Sequence, residues 1–388
     1  MAASSPTSVL LAGGGTAGHV SPLLALADCL RRRDPDIRVT ALGTATGLEA
    51  RLVPERGYPL LTVPKVPLPR RPSADLLRLP GNLRAAVRAA ERAIDESGAQ
   101  VVVGFGGYVS TPAYLAARRR HVPIVIHEQN ARPGLANRLG ARLTDHVATT
   151  FRSTRLAHAT PIGMPLRPEI AQLDRAASRA EGLAHFGLDD HRPTLLVTGG
   201  SLGAQRLNTT LEARAADLSA RGVQVLHLTG AGKEFTPQRP ADDGSAARYV
   251  VAPYADRMDL AYAVADLVVA RAGANTVCEL TAVGLPAVYV PLPIGNGEQR
   301  FNAADVVDAG GGLLVDDAAF TPGWVDSELV PLLADAARLE AMATASAATG
   351  ERGADELLAD LVDAAYAESL AEQAKKTQQQ QAKPPGER

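Results

Sequence analysis

The stretch SVLLAGGGTAGHVSPLLALADCL, Ser8–Leu30, decides the fold. A short run, apolar throughout, enters a glycine cluster and leaves it along an apolar segment with helical spacing. Strand, glycine turn and helix in that order open a βα unit of a parallel sheet, because a strand covered on both faces is apolar on both. Gly13, Gly15 and Gly18 fit G-x-G-x-x-G. Such glycines let the backbone approach a phosphate, while the helix start offers free N–H groups. His19 follows at the first helical turn. A helix N-terminus disfavours the imidazolium, so the position predicts a neutral imidazole able to accept a proton. The plain alternative is a turn that only packs strand on helix.

Outward from this unit the alternation continues, with predicted strands at 37–43, 60–64, 101–106, 124–128 and 146–150 and helical patterns between most of them. The proline-rich TPIGMPLRPEI at 160–170 breaks the pattern, and PTLLVTGGSLGAQRLNTTL at 193–211 restarts it as strand, glycine turn and helix. Further strands are predicted at 223–230, 249–254, 266–273 and 286–293. The fold class is therefore α/β, two doubly wound, Rossmann-like domains facing a cleft. The domains are placed at 1–163 and 164–352, followed by a helix at 353–370 that packs across them. Residues 371–388, polar and Gln-rich, read as a disordered tail.

Composition narrows the classes. The chain has 388 residues, 46% hydrophobic and 21% charged, with a formal net charge of −2. No overall field favours nucleic acid. Two distant cysteines, Cys29 and Cys278, make no disulfide framework and fit a reducing compartment. The start lacks a basic n-region, so no signal peptide is predicted, and no apolar run is long enough to span a membrane. The arginine triplets Arg31–Arg33 and Arg118–Arg120 read as solvated helix ends.

The cofactor question turns on acids. A dinucleotide site wants an acid at the end of the second strand, but that strand ends TALGTATG and the nearest acid, Glu49, lies well past it. A nicotinamide oxidoreductase is thus disfavoured. A metal-using sugar transferase wants D-x-D; the match here, Asp34-Pro35-Asp36, precedes the second strand, at the wrong end of the sheet. No metal or other cofactor is predicted.

The second half adds candidates. Ser201, in GGSLGAQ, offers a hydroxyl at a helix start, for a phosphate or merely as a cap. In RAGANTVCEL, Glu279 lies near a helix start at the carboxyl end of the sheet, where a carboxylate accepts from a ribose diol or simply balances the dipole. Glu298, Gln299 and Asn302 supply the mixed donors and acceptors that sugar hydroxyls need.

Together GGGTAGHVSP, GFGGYVSTP, IHEQNARPGLANR, TGGSLGAQRLN, ARAGANTVCEL and PLPIGNGEQRFNA, in order over about residues 8 to 365, resemble the MurG family of glycosyltransferases, glycosyltransferase family 28. The resemblance implies a GT-B fold and inverting transfer of GlcNAc from UDP-GlcNAc to the 4-hydroxyl of MurNAc in undecaprenyl-diphospho-MurNAc-pentapeptide, lipid I. It assigns donor contacts to Thr16, Ala17, Gly18, Asn130, Arg167, Ser201, Ala255, Ala274, Asn275, Thr276, Val277, Cys278, Glu279 and Gln299. It implies Gly14, Gly15, Gly106, Gly107 and Tyr108 as candidates for the acceptor diphosphate, and His19 first and Glu128 second as the general base. Met164 stands where the family commonly has Asn, and Asn275 where Leu or Met is usual.

A polyprenyl acceptor implies a peripheral enzyme on the inner face of the cytoplasmic membrane. KVPLPRRPSADLLRLPGNLRAA at 65–86 mixes Lys65, Arg70, Arg71, Arg78 and Arg84 with Leu76, Leu77, Leu79 and Leu83, which suits anionic lipid. A different UDP-sugar transferase and a non-catalytic nucleotide-sugar sensor are the remaining alternatives.

Overall fold

A computed structural model describes residues 5–66, 75–200, 204–240, 246–294 and 297–381. The chain forms two compact units, one of Met1–Gln129, Pro133–Pro165 and Gly353–Arg388, the other of Asn130–Arg132 and Leu166–Arg352.

In the first unit seven strands, β1 (Ser8–Ala12), β2 (Arg38–Gly43), β3 (Leu60–Thr62), β4 (Val101–Gly104), β5 (Ile124–Glu128), β6 (Val147–Thr149) and β7 (Ala159–Pro161), lie in the order β3-β2-β1-β4-β5-β6-β7. Every neighbouring pair is parallel. Alternation along β1 feeds two cores. Val9 and Leu11 face α1 (Ala17–Arg33) through Leu23, Leu26 and Leu30. After α2 (Glu49–Glu55) come α3 (Asp75–Ser97) and α4 (Gly107–Arg120), whose Ala90, Ile94, Ala113 and Tyr114 meet Leu10 and Ala12 on the other face. A short α5 (Leu135–Gly140) follows β5.

The second unit repeats the plan with β8 (Thr194–Thr198), β9 (Gln224–Leu228), β10 (Tyr249–Ala252), β11 (Leu267–Ala270), β12 (Ala287–Tyr289) and β13 (Gly312–Leu314), all parallel in the order β10-β9-β8-β11-β12-β13. The strand order reverses between β1 and β4 and between β8 and β11. At such a switch point the loops after the two strands diverge, leaving a crevice at their carboxyl ends.

Three expectations need correction. The end of the first unit's sheet carries an edge strand, β7, where the proline-rich stretch breaks the sequence pattern, and a second edge strand, β13, closes the other sheet. Each has three residues, too few for a periodic signal. The C-terminal helix runs from Ala354 to Gln381, so residues 371–381 are helical; Ala, Glu, Gln and Lys there all have good helix propensity. It belongs to the first unit, where Leu358, Ala359, Val362 and Ala365 pack on α1 and the sheet. Arg32 and Arg33 are not simply solvated: they clamp this helix, Arg32 to Asp355 (2.8 Å) and Glu356 (2.9 Å), Arg33 to Glu356 (2.6 Å) and Asp360 (2.8 Å). Likewise Arg119 and Arg120 pair with Glu91 and Asp95 of α3. Burying Leu358 and Val362 contributes about 1.5–3 kcal/mol each, whereas half-exposed ion pairs give about 0–1 kcal/mol. Apolar contact therefore holds the helix, and the arginines set its register.

Candidate active site

In the first unit the crevice lies between the turn after β1 and the turn after β4. His19, in the first turn of α1, points its Nδ1 at the Gly14 carbonyl oxygen (3.1 Å) and Thr16 Oγ1 (3.1 Å). A carbonyl only accepts, so Nδ1 carries the hydrogen and Nε2 keeps its lone pair. The ring lies against Gly106, where a Cβ would stand 3.2 Å from Nε2. Gly106 and Gly107 have φ of +92° and +79°, and a Cβ on Gly107 would come within 2.6 Å of the Gly14 oxygen. Only glycines allow this approach. Burial lowers the His19 pKa, against the opposing pull of the Gly14 carbonyl and the Glu49 charge. The shift favours the neutral imidazole, and its leading cause is burial.

Glu49 answers the missing-acid question differently from its place in the sequence. Although it lies beyond β2, its fully buried carboxylate reaches back to the first turn and accepts from Gly15 N (2.8 Å), Thr44 N (2.9 Å) and Thr44 Oγ1 (2.7 Å). Burial alone would raise its pKa; the hydrogen bonds of Gly15, Thr44 and its own N–H win and hold it below the ordinary carboxylate value. The acid is thus consumed by the turn. A small hollow of about 100 Å³ opens beside Gly14 and Gly15, lined also by Lys65 and Tyr108. Tyr108 is exposed, and the Lys65 ammonium lies 5.3 Å from its ring centroid.

Glu128, at the end of β5, is buried and accepts from Gly134 N (3.0 Å) and Asn137 Nδ2 (3.0 Å). Asn137 in turn accepts from Tyr114 OH (2.7 Å). Asn137 Nδ2 also flanks Gly106 on the side of His19. Glu128 is therefore built into the wall behind Gly106. Met164 is buried with its sulfur 3.9 Å from Thr150 Oγ1.

The second unit gathers another set. The helix Ala274–Ala282 starts at the switch point with no acid in its first turn. Glu279 sits in its second turn, one turn deeper than the sequence suggests. It accepts from Tyr262 OH (2.7 Å) and pairs with Arg167 at 3.7 Å. Val277 and Ala274 are buried, while Asn275, Thr276 and Cys278 are partly exposed. Gln299 Oε1 accepts from Leu292 N (2.9 Å), which braces the loop after β12. Buried Asn302 accepts from Ala131 N (2.9 Å) and donates to the Ala272 carbonyl (3.3 Å) and Asn130 Oδ1 (3.4 Å), so it seats Asn130 beside the start of that helix. Ala255 follows β10, half-buried. Ser201 lies outside the described residues.

Sequence reasoning missed Glu49, Tyr262 and Asn137 as site residues. Tyr262 reads as one more core aromatic, and nothing local marks the reach of Glu49. Asp34 and Asp36 close a local turn, Asp36 N donating to Asp34 Oδ1 (3.0 Å), ahead of β2. Among the described residues one group, Cys29, Asp355 and Glu356, has metal-ligand spacing, but Arg32 occupies both carboxylates.

Residues 9–149 match the glycosyltransferase family 28 N-terminal domain and residues 194–358 the family 28 C-terminal domain. The chain belongs to glycosyltransferase family 28. A Nocardioides sp. protein named UDP-N-acetylglucosamine--N-acetylmuramyl-(pentapeptide) pyrophosphoryl-undecaprenol N-acetylglucosamine transferase is 61% identical over 354 residues, covering 91% of this chain and 97% of its own. A Leifsonia xyli protein of the same name is 60% identical over the same shares. The crystal structure of Acinetobacter baumannii MurG is 30% identical, with a TM-score of 0.75 over 92% of this chain and 99% of that one. The two parallel sheets are thus the Rossmann-like pair of a family 28 GT-B glycosyltransferase, and the oxidoreductase alternative falls away.

Proposed function

We propose that this family 28 chain moves GlcNAc from UDP-GlcNAc, with inversion, to the 4-hydroxyl of MurNAc in undecaprenyl-diphospho-MurNAc-pentapeptide. The products are a β-1,4-linked lipid disaccharide, lipid II of peptidoglycan synthesis, and UDP. The observation that carries the reading is the 61% identity to a transferase of that name, sustained through both units across 97% of its length.

The chemistry asks for a proton acceptor and a stabilised leaving group. His19 Nε2, with its lone pair directed by the Nδ1 contact to Gly14, takes the proton of the attacking hydroxyl. The start of the helix Ala274–Ala282 faces the negative charge that develops on the leaving diphosphate. Glu279, steadied by Tyr262, accepts from the ribose diol, and Arg167 lies beside it near the uridine. Asn130, seated by Asn302, and Gln299 meet the donor sugar. Gly14, Gly15, Gly106, Gly107 and Tyr108 face the acceptor diphosphate.

The test is UDP release from UDP-GlcNAc with and without a short-chain lipid I analogue. Release only with the analogue, with a GlcNAc-bearing product by mass, supports the reading. Binding without release would point to a sensor or another acceptor.

The polyprenyl tail of that acceptor places the enzyme peripherally on the inner face of the cytoplasmic membrane. No helix of the described residues is long and apolar enough to cross one. Of the basic apolar stretch, Leu83 is partly buried against the first unit's core. Arg70 and Arg71, and the side chains of Leu76, Leu77 and Arg78, lie outside the described residues. Changing Leu76, Leu77 and Leu79 together to Ser is expected to weaken co-sedimentation with anionic liposomes. Unchanged co-sedimentation would remove this patch from the proposal.

A further inference from the structure

The glycine turn after β1 looks from its sequence like a cradle for a ligand phosphate, but one of its N–H groups is already taken. Gly15 N donates to Glu49 at 2.8 Å, and the same carboxylate accepts both the N–H and the hydroxyl of Thr44. Three glycines make room for it. A Cβ on Gly14 would stand 2.4 Å from Oε1, one on Gly43 2.4 Å from Cγ, and one on Gly47 2.1 Å from Oε2. Two of these lie outside the G-x-G-x-x-G match, Gly43 at the end of β2 and Gly47 in the β2–α2 connection. The first unit therefore spends a fully buried side chain and a set of glycines on one internal anion.

We propose that Glu49 is the positioning residue of the first glycine turn: its carboxylate occupies the place a phosphate takes in nucleotide-binding turns, and so fixes the Gly14–Gly15 backbone from which His19 is held. Two consequences follow from charge. An anion in place beneath the turn repels a second one from Gly15 N, so an acceptor diphosphate is directed to the open side of the turn, toward Lys65 and Tyr108. The same carboxylate lies near enough to His19 to favour its protonated form, so it tempers the effect of burial and keeps the imidazole basic enough to work. Lys65 is the charged residue among those lining the hollow. This inference rests on the reading of His19 as the group that meets the acceptor hydroxyl.

The test compares the full-length chain with Glu49→Gln. Gln keeps the shape and one acceptor oxygen but sets its NH2 against the donors of either Gly15 or Thr44. Steady-state rates with UDP-GlcNAc and a short-chain lipid I analogue are expected to show kcat/KM for the acceptor down at least tenfold and KM for UDP-GlcNAc within twofold. The acid limb of the pH profile should move to lower pH. The proposal is overturned if acceptor kcat/KM and the acid limb stay at wild-type values, or if donor and acceptor constants fall together in step with thermal stability. Should Glu49→Gln not fold, Thr44→Val removes one of the carboxylate's donors and is expected to move the same quantities the same way by a smaller factor; wild-type behaviour there overturns the proposal. If the wild-type chain itself transfers nothing, the function reading fails separately. NMR titration of the His19 ring then decides the role of Glu49: a shift to lower pH in Glu49→Gln supports it, and an unchanged titration overturns it.

Discussion

Gly107→Ala probes how the two turns of the first unit lock together. Gly107 has φ of +79°, and its Cβ would fall 2.6 Å from the Gly14 carbonyl oxygen, a backbone atom with little room to retreat. Placing an L-residue in the left-handed region costs about 1–2 kcal/mol. Forcing a methyl into a packed contact adds about 1–3 kcal/mol. Gly57 supplies the control, because its φ is +78° and nothing lies within 4 Å of the Cβ position, so Gly57→Ala bears the first cost alone. At roughly 2–4 °C per kcal/mol for a unit of this size, Gly57→Ala should lower the melting temperature by about 2–8 °C and Gly107→Ala by about 4–20 °C. Turnover separates them further. The Gly14 oxygen holds His19 Nδ1, so displacing it releases the imidazole from its tautomer and direction. Gly107→Ala should lose tenfold or more in kcat, since small misplacements of a reacting group are costly, while Gly57→Ala keeps wild-type kcat. Scanning calorimetry and UDP-release rates read both effects. If Gly107→Ala melts with Gly57→Ala and turns over normally, the lock between the turns does not exist.

Three more outcomes are expected. His19→Ala should cut turnover about 10²-fold or more at saturating substrates without loss of folding, as removal of a general base does; near-normal turnover would take that role from His19. Tyr262→Phe removes the hydroxyl that steadies Glu279 and should raise KM for UDP-GlcNAc about tenfold, the scale of one hydrogen bond to a charge; an unchanged KM would separate Glu279 from the donor. His127 is buried neutral, with Nε2 2.9 Å from the Gly163 oxygen and Nδ1 3.0 Å from Gln129 Nε2, and burial pushes its pKa down to about 4. As pH falls, the unfolded chain takes up this proton first, near pH 6.5, so the group's stability is intact above 6.5 and is lost progressively toward pH 4, by about 3 kcal/mol in all. Urea unfolding of wild type and His127→Gln at pH 7 and 4.5 checks this, with a smaller pH loss expected in the variant and equal losses counting against it.

Much of the fold was legible because parallel strands announce themselves locally. The runs at 8–12, 101–104, 194–198 and 267–270 are apolar on both faces, and glycine follows each closely. What stayed hidden was set by distance along the chain. Asn130 and Asn302 meet across 172 positions, and Arg32 and Asp355 across 323. Glu49 is 34 positions from Gly15; its role depends on α2 turning its first residue back under the β1 loop, which no periodicity encodes. The reading of Arg32 and Arg33 as solvated failed for a related reason: their partners come from the last helix, and helix-end arginines look alike whether or not a partner exists.

The return of the last helix to the first unit has a consequence during synthesis. The outer side of α1 and the adjoining part of the sheet at β4 and β5 are waiting for Leu358, Val362 and Ala365, which the ribosome adds only after the whole second unit. At roughly 5–20 residues per second, that face goes uncovered for on the order of 10–40 s. A nascent or truncated chain lacking the helix shows a greasy stripe to chaperones and proteases, whereas a finished one conceals it. The closing helix thereby makes survival of the first unit conditional on translation having reached the end of the second.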